Sequence, residues 1–221
     1  MLFRSMQARI QSYLRERAQI LASISHDLQT PITRMKLRVE MAEQPKRRDK
    51  LRDDLDNMSR LVREGIAYAR SSESLEETSL KLELNAWINS IACDYQDIGK
   101  NVQFQAGESR LPIVTRPQAL RRVMTNLLDN ALKFGERANI VIDDSSASEV
   151  VIHIIDVGPG IPDAELEAVL QPFYRVETSR NRDTGGTGLG LAIAAQLTAQ
   201  LEGKLRLANR AGGGLDVAIR Y

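Results

Sequence analysis

Apolar residues recur at alternating spacings of four and three through Ile10, Leu14, Arg17, Leu21, Ile24, Leu28, Pro31 and Met35. This heptad seam, spoiled only at Arg17 and Pro31, predicts a long first helix. The same spacing returns in Leu51, Leu55, Met58, Val62, Gly65 and Ala69 and predicts a second. Between them, Glu43-Gln44-Pro45-Lys46 stops one helix and starts the next, so the two form an antiparallel hairpin. A two-helix hairpin buries too little apolar surface to stand alone. Pairing with a second copy as a four-helix bundle supplies the missing core, so the pattern predicts a homodimer.

From Ser71 to Thr78 the chain is polar and reads as a linker. Beyond it the period changes. Leu80–Leu84 alternates as a strand, Asn85 caps a helix running to Ile98, and short strands follow over Val102–Gln105 and Ile113–Thr115. Pro117 opens a helix reaching Phe134. Strands over Asn139–Asp143 and Val150–Asp156, a glycine-rich region, a helix over Gly188–Leu201 and strands over Lys204–Ala208 and Leu215–Arg220 complete the pattern. The expected fold is a helical hairpin followed by an α/β sandwich, one mixed sheet with helices on one face.

The bulk numbers exclude more than they assign. The 221 residues are 43 % hydrophobic and 27 % charged, with a net charge of +1. That is ordinary for a globular protein and gives no reason to expect nucleic-acid binding. The basic tract Lys46–Arg52 is interrupted by Asp49 and reads as a solvated helix start. The single cysteine, Cys93, forbids an internal disulfide, fits a reducing compartment and is expected to be packing. No run approaches the roughly 18 apolar residues of a membrane span, and no signal peptide is present. Met1–Ile10 already looks mid-helix, with no capping residue before it, so the chain is expected to be a soluble piece of something longer.

Two histidines occur, and their settings differ. His153 lies in the alternating run Val150–Asp156, opposite to Ile152 and Ile154, and is given no role. His26 sits in Ser25-His26-Asp27-Leu28-Gln29-Thr30-Pro31. On a helix it is about 200° from both Ile24 and Leu28, so it faces away from the seam. Asp27 can hydrogen-bond the Nδ1 side of the ring and leave Nε2 as nucleophile. Thr30 lies one turn on, on the same face. Pro31 removes a backbone donor and loosens the turn beside the histidine.

Three further motifs follow in order. In Asn126–Phe134, the residues Asn126, Asn130 and Lys133 share one helix face while Leu127, Leu128 and Ala131 cover the other. Two amide oxygens one turn apart suit a hard cation such as Mg²⁺, with Lys133 beside phosphate charge. Asp156 ends a strand before Val157-Gly158-Pro159-Gly160. Its carboxylate can accept from an adenine amine, and the glycines let the backbone approach the base. Gly185-Gly186-Thr187-Gly188-Leu189-Gly190 opens the last long helix and offers an anion site at its N-terminus. It is neither a Walker A loop nor a dinucleotide-binding turn.

Together these motifs resemble a known family. The histidine run is similar to the H-box of sensor histidine kinases. The three later motifs resemble the N-box, G1-box and G2-box of the ATP-binding fold shared by gyrase, heat-shock chaperones, mismatch-repair ATPases and histidine kinases. Gln171–Arg175 resembles the kinase F-box, and Val176–Thr184, with Arg180 and Arg182, the ATP lid. Gln29, Phe134 and Leu170 stand where many members have Arg, Tyr and Phe; none of these swaps removes a catalytic group.

The resemblance covers residues 18–221. It implies a dimerisation and histidine-phosphotransfer hairpin over 18–72, a linker over 73–79 and a catalytic ATP-binding domain over 80–221. Residues 1–17 are similar to the last helix of a HAMP signal-relay module, which implies the cytoplasmic portion of a bacterial inner-membrane sensor whose membrane segment is missing here. His26, Asp27 and Thr30 are then the catalytic set. Asn126, Asn130, Lys133, Phe134, Asp156, Gly158, Gly160, Arg175, Gly186, Thr187, Gly188, Leu189 and Gly190 bind ATP, with Asn130 and Asn126 on Mg²⁺. The implied partners are a second copy and the receiver domain of a response regulator, which the chain also dephosphorylates. A machine ATPase of the same fold and a non-catalytic dimeric scaffold are the alternatives.

Overall fold

The structure is a computed structural model, and it describes residues 32–39, 45–70, 77–108, 112–146, 149–176 and 187–221. The chain divides into two units, Met1–Glu73 and Ser74–Tyr221. In the first, residues 32–39 form helix α1 and Pro45–Arg70 form α2. Lys36 on α1 pairs with Asp56 on α2, and the lysine holds the Asp56 carboxyl below its usual range. Ile32, Leu55 and Ser59 are buried, and the Ser59 hydroxyl donates to the Leu55 carbonyl at 2.8 Å. Among the described residues, the heptad seam is only partly covered within one hairpin, with Leu55 buried. Met35, Leu51 and Met58 lie on it yet are 41 %, 43 % and 46 % exposed. Heptad spacing locates an apolar stripe, but one helix pair can cover only part of it.

The second unit is α/β. Strand β1 (Leu80–Glu83) precedes helix α3 (Leu84–Asp97), then β2 (Asn101–Gln105), β3 (Pro112–Thr115) and helix α4 (Pro117–Gly135). Strands β4 (Arg137–Ser146) and β5 (Glu149–Asp156) lead through two single-turn 3₁₀ segments to helix α5 (Gly190–Gln200), β6 (Lys204–Asn209) and β7 (Leu215–Arg220). The expectation of one sheet needs correction. β1 and β3 form a separate antiparallel ribbon, and the main sheet has five strands in the order β2-β4-β5-β7-β6. Only β2 and β4 run parallel; the other pairings are antiparallel.

Alternation gives this sheet two unlike faces. Cross-strand register sets Ile140 beside Ile154 and Ile154 beside Val217, and sets Ile152 beside Ile219. All of these are buried. The helices bring their own apolar sides: Ile88 and Ile91 from α3, Leu120, Met124, Leu127 and Leu128 from α4, Leu197 from α5. Residues one step out of phase, such as Val141, His153 and Ala218, lie half-exposed on the opposite face. His153 there sets Nδ1 3.0 Å from Asp216 Oδ1, a surface pairing and no part of the motifs above.

Two helix caps differ from expectation. Glu83, not Asn85, caps α3: its Oε2 accepts the Ala86 N–H at 2.7 Å. Asn85 instead pairs with the backbone of Gly107, accepting its N–H at 3.0 Å and donating to its carbonyl at 3.4 Å. Cys93 on α3 is exposed rather than packed. Helix α4 starts at Pro117 without a side-chain cap of its own. Its free amides are met by Glu77, which accepts from Gln118 N–H at 2.7 Å and from Ala119 N–H at 3.0 Å. A carboxylate on two orphan amides at a helix N-terminus stabilises by about 1 kcal/mol. Glu77→Ala should therefore lower the melting temperature of this unit by roughly 2–4 °C. An unchanged melting curve would show that the cap contributes nothing.

Candidate functional site

The second half of α4 splits as its sequence dictates. Leu127, Leu128 and Ala131 are buried, while Asn126 and Asn130 are half-buried on the other side. The Asn126 amide is held: Nδ2 donates to the Arg122 carbonyl at 2.7 Å. That bond fixes Oδ1 on the side of α5, 3.5 Å from where a Cβ on Gly190 would stand. Asn130 follows one turn later. Lys133 is exposed, with its ammonium 4.8 Å from the centroid of the Phe134 ring. On the outer side of the helix, the Tyr95 hydroxyl donates to Asp129 at 2.7 Å. Burial and that carboxylate push the phenol up.

The end of α4 runs directly onto the turn after β5. A Cβ at Gly135 would lie 2.8 Å from Asp156 Cβ and 2.9 Å from Val157 N, and one at Gly158 would lie 2.8 Å from the Phe134 carbonyl oxygen. Both positions need glycine because two backbones meet there. Asp156 is only 4 % exposed. Its Oδ1 accepts two backbone amides, Gly158 N–H at 2.8 Å and Leu215 N–H at 3.0 Å. The carboxylate plane is thereby fixed, and Oδ2 is left for another donor.

The start of α5 closes the arrangement. Leu189 occupies the cap position with no side-chain bond to the first amides, so the N-terminal dipole and its donors are offered outward. Thr187 is buried, and its Oγ1 accepts the Leu189 N–H at 3.3 Å. Gly188 has φ +75°, and a Cβ there would meet the Tyr174 carbonyl oxygen at 2.6 Å. Phe173 N–H donates to the Gly188 carbonyl at 3.0 Å. The segment carrying Phe173, Tyr174 and Arg175 is thus tied to the glycine turn before α5. Gly186, Arg180 and Arg182 lie outside the described residues, as do His26, Asp27 and Thr30.

Among the described residues, no group of three His, Cys, Asp or Glu side chains is arranged to hold a metal ion. The donor chemistry among the described residues is instead a pair of amide oxygens beside a helix N-terminus that its cap residue, Leu189, leaves without a side-chain bond. That set is too small to cage a cation by itself and suits one that brings phosphate oxygens with it, as Mg²⁺ does.

Two family models match separate parts of the chain. Residues 16–74 match the His Kinase A (phospho-acceptor) domain, and residues 115–221 match the histidine kinase-, DNA gyrase B-, and HSP90-like ATPase. This pair of domains is that of a histidine kinase cytoplasmic core. The sensor histidine kinase GtrS of Pseudomonas aeruginosa is 39 % identical over 218 residues, covering 99 % of this chain and 44 % of GtrS. CpxA of Escherichia coli K12, also a sensor histidine kinase, is 25 % identical over 98 % of this chain and 49 % of its own length. The chain therefore spans less than half of these curated relatives. Among solved structures, full-length ShkA in complex with AMPPNP superposes with a TM-score of 0.69 at 24 % identity, covering 91 % of this chain and 45 % of ShkA. The Acinetobacter baumannii histidine kinase AdeS gives 0.61 at 19 % identity, over 88 % and 96 %. Both share the fold.

Reading the histidine kinase motifs alone misses the turn between β6 and β7. Through Leu215 it supplies one of the two amides that hold Asp156. The available signal was the run Gly212-Gly213-Gly214 between two alternating segments, a strong hairpin mark.

Proposed function

We propose that this chain is the ATP-dependent autophosphorylating core of a two-component sensor, with His26 as phosphoacceptor. The observation that supports this most is the junction of three motifs. The Asn126 amide oxygen adjoins the first residue of α5, and the last residue of α4 adjoins Asp156. One face can thus meet a base at Asp156 and phosphates near Asn126, Asn130, Lys133 and the α5 start. Gly158, Gly160, Thr187, Gly188 and Leu189 shape its walls, with Phe134 and Arg175 beside them. Mg²⁺, held through Asn130 and Asn126, supplies charge neutralisation at the phosphates.

In the reaction, His26 Nε2 attacks the γ-phosphorus, the bond from that phosphorus to the β,γ-bridging oxygen breaks, and ADP leaves. Asp27 holds the Nδ1 side of the ring and takes the proton the imidazolium loses. Positioning supplies most of the acceleration. The phosphoryl group then passes to an aspartate of a receiver domain, and Thr30 positions water for the reverse, dephosphorylating activity. The domain limits 18–72, 73–79 and 80–221 frame these roles, with residues 1–17 as the end of a HAMP-like helix.

The exposed apolar side chains of α1 and α2, Met35, Leu37, Leu51 and Met58, fit a dimeric bundle completed by a second copy. No helix among the described residues is long and apolar enough to cross a membrane. The test uses purified chain, γ-labelled ATP and Mg²⁺. The label should be lost in acid and kept in alkali, as a phosphoramidate requires, and should not form when EDTA is present. Steady ATP hydrolysis with no label on the chain would instead favour a machine ATPase of the same fold.

A further inference from the structure

The turn between β6 and β7 belongs to none of the motifs, yet it grips the loop after Asp156. The Asn209 side chain reads both backbone polar groups of Ile161: Oδ1 accepts its N–H at 2.9 Å and Nδ2 donates to its carbonyl at 2.6 Å. The same Nδ2 donates to Asp163 Oδ1 at 2.7 Å. Arg210 reaches the Asp156 carbonyl at 3.4 Å, and Leu215 N–H holds the Asp156 carboxylate at 3.0 Å. The approach leaves no slack. A Cβ on Gly214 would fall 2.1 Å from the Asp156 carbonyl oxygen, and one on Gly160 would fall 2.7 Å from Asn209 Oδ1.

An amide that pairs with both the N–H and C=O of one residue fixes that residue in position and in plane. Ile161 ends the segment whose beginning, Gly158 N–H, is bonded to Asp156 Oδ1. The loop is therefore pinned at both ends, by Asp156 at one and Asn209 at the other, and the β6–β7 turn spans the two pins. We propose that Asn209 is a positioning residue for purine recognition. By holding the Gly158–Ile161 loop it keeps Asp156 Oδ2 aimed at an exocyclic amine, so that the site selects adenine over guanine, which presents a carbonyl oxygen at that place. This rests on the reading of Asp156 as the base acceptor.

The substitution Asn209→Asp keeps an acceptor for Ile161 N–H, removes both donations and sets a carboxylate against Asp163. Affinity for ADP, measured by calorimetry with Mg²⁺, should fall about tenfold, the equivalent of one or two hydrogen bonds. Affinity for GDP, which gains nothing from an aligned Asp156, should change less than threefold, so base preference narrows. Adding Asp163→Asn restores one donor across the pair and should recover part of the ADP affinity. Asn209→Ser, which has too short a reach for the paired contact but adds no charge, should narrow the preference in the same direction and guards against a folding defect in the aspartate variant. Equal losses for ADP and GDP, or no loss for either, would overturn the role of Asn209. If Asp156→Asn leaves ADP affinity intact as well, the assignment of Asp156 falls with it; if Asp156→Asn alone abolishes binding, only the Asn209 inference is lost.

Discussion

Replacing His26 with alanine should bring phosphoryl label on the chain to background while leaving ADP affinity within twofold of the parent. The expectation rests on simple elimination among nucleophiles of one kind. The sequence has two histidines. His153 lies on β5 with Nδ1 between both oxygens of Asp216, at 3.0 and 3.1 Å, on the sheet face away from α4 and α5. The heptad spacing of the sequence predicts that His26 takes the outward phase of a helix, beside an acid and one turn before Thr30. Autoradiography after alkaline transfer, paired with calorimetry, measures both quantities at once. His153→Ala provides the counter-test, since it should label normally. Label that persists on His26→Ala would move the phosphoacceptor elsewhere and undo the proposed chemistry.

Asn130→Ala should weaken Mg²⁺-dependent ADP binding by about 100-fold, the upper end of what removing a metal-site group costs. Asn126→Ala should cost less, because its oxygen acts at the rim of α5. The melting temperature of either variant without nucleotide should stay near the parent value. The substituted side chains are only half-buried, whereas the α4 packing runs through Leu127, Leu128 and Ala131. Binding that survives Asn130→Ala within threefold, or that is indifferent to EDTA, would remove the metal from this face of α4.

How much of this was legible in the sequence depends on distance along the chain. Periodicity found α4, α5 and every strand of the main sheet, because a strand or helix announces its own buried face within a few residues. It failed where the partner is remote or where local signals compete. β1 and β3 alternate as strands should, but nothing in either says that they pair with each other and not with the large sheet. Glu83 and Asn85 are both competent caps, and tertiary contact with Gly107 drew Asn85 away. Met35, Leu51 and Met58 obey the heptad and are still exposed, since spacing describes one helix and burial needs its neighbours. The candidate site divides the same way. Asn126, Asn130, Asp156 and Gly188 were legible as motifs on single elements. Asn209 was not, because it meets Ile161 across a separation of 48 residues.

The neighbours β5 and β7 pair along their length, from Val151 with Arg220 to Ile155 with Asp216, although everything numbered from 157 to 214 intervenes. The stretch that carries the glycine turns and α5 is therefore a long excursion launched and recaptured by adjacent strands, and the entropy of closing such an excursion grows only with the logarithm of its length. Doubling it costs about 0.6 kcal/mol. Extra residues inserted between Arg175 and Thr187 should thus be nearly free to the sheet, so that stretch can vary in length and composition among descendants. The turn from Asn209 to Gly214 has no such latitude: it is the seam where the excursion is sewn shut, and one added residue there would pull the stitch from Asp156.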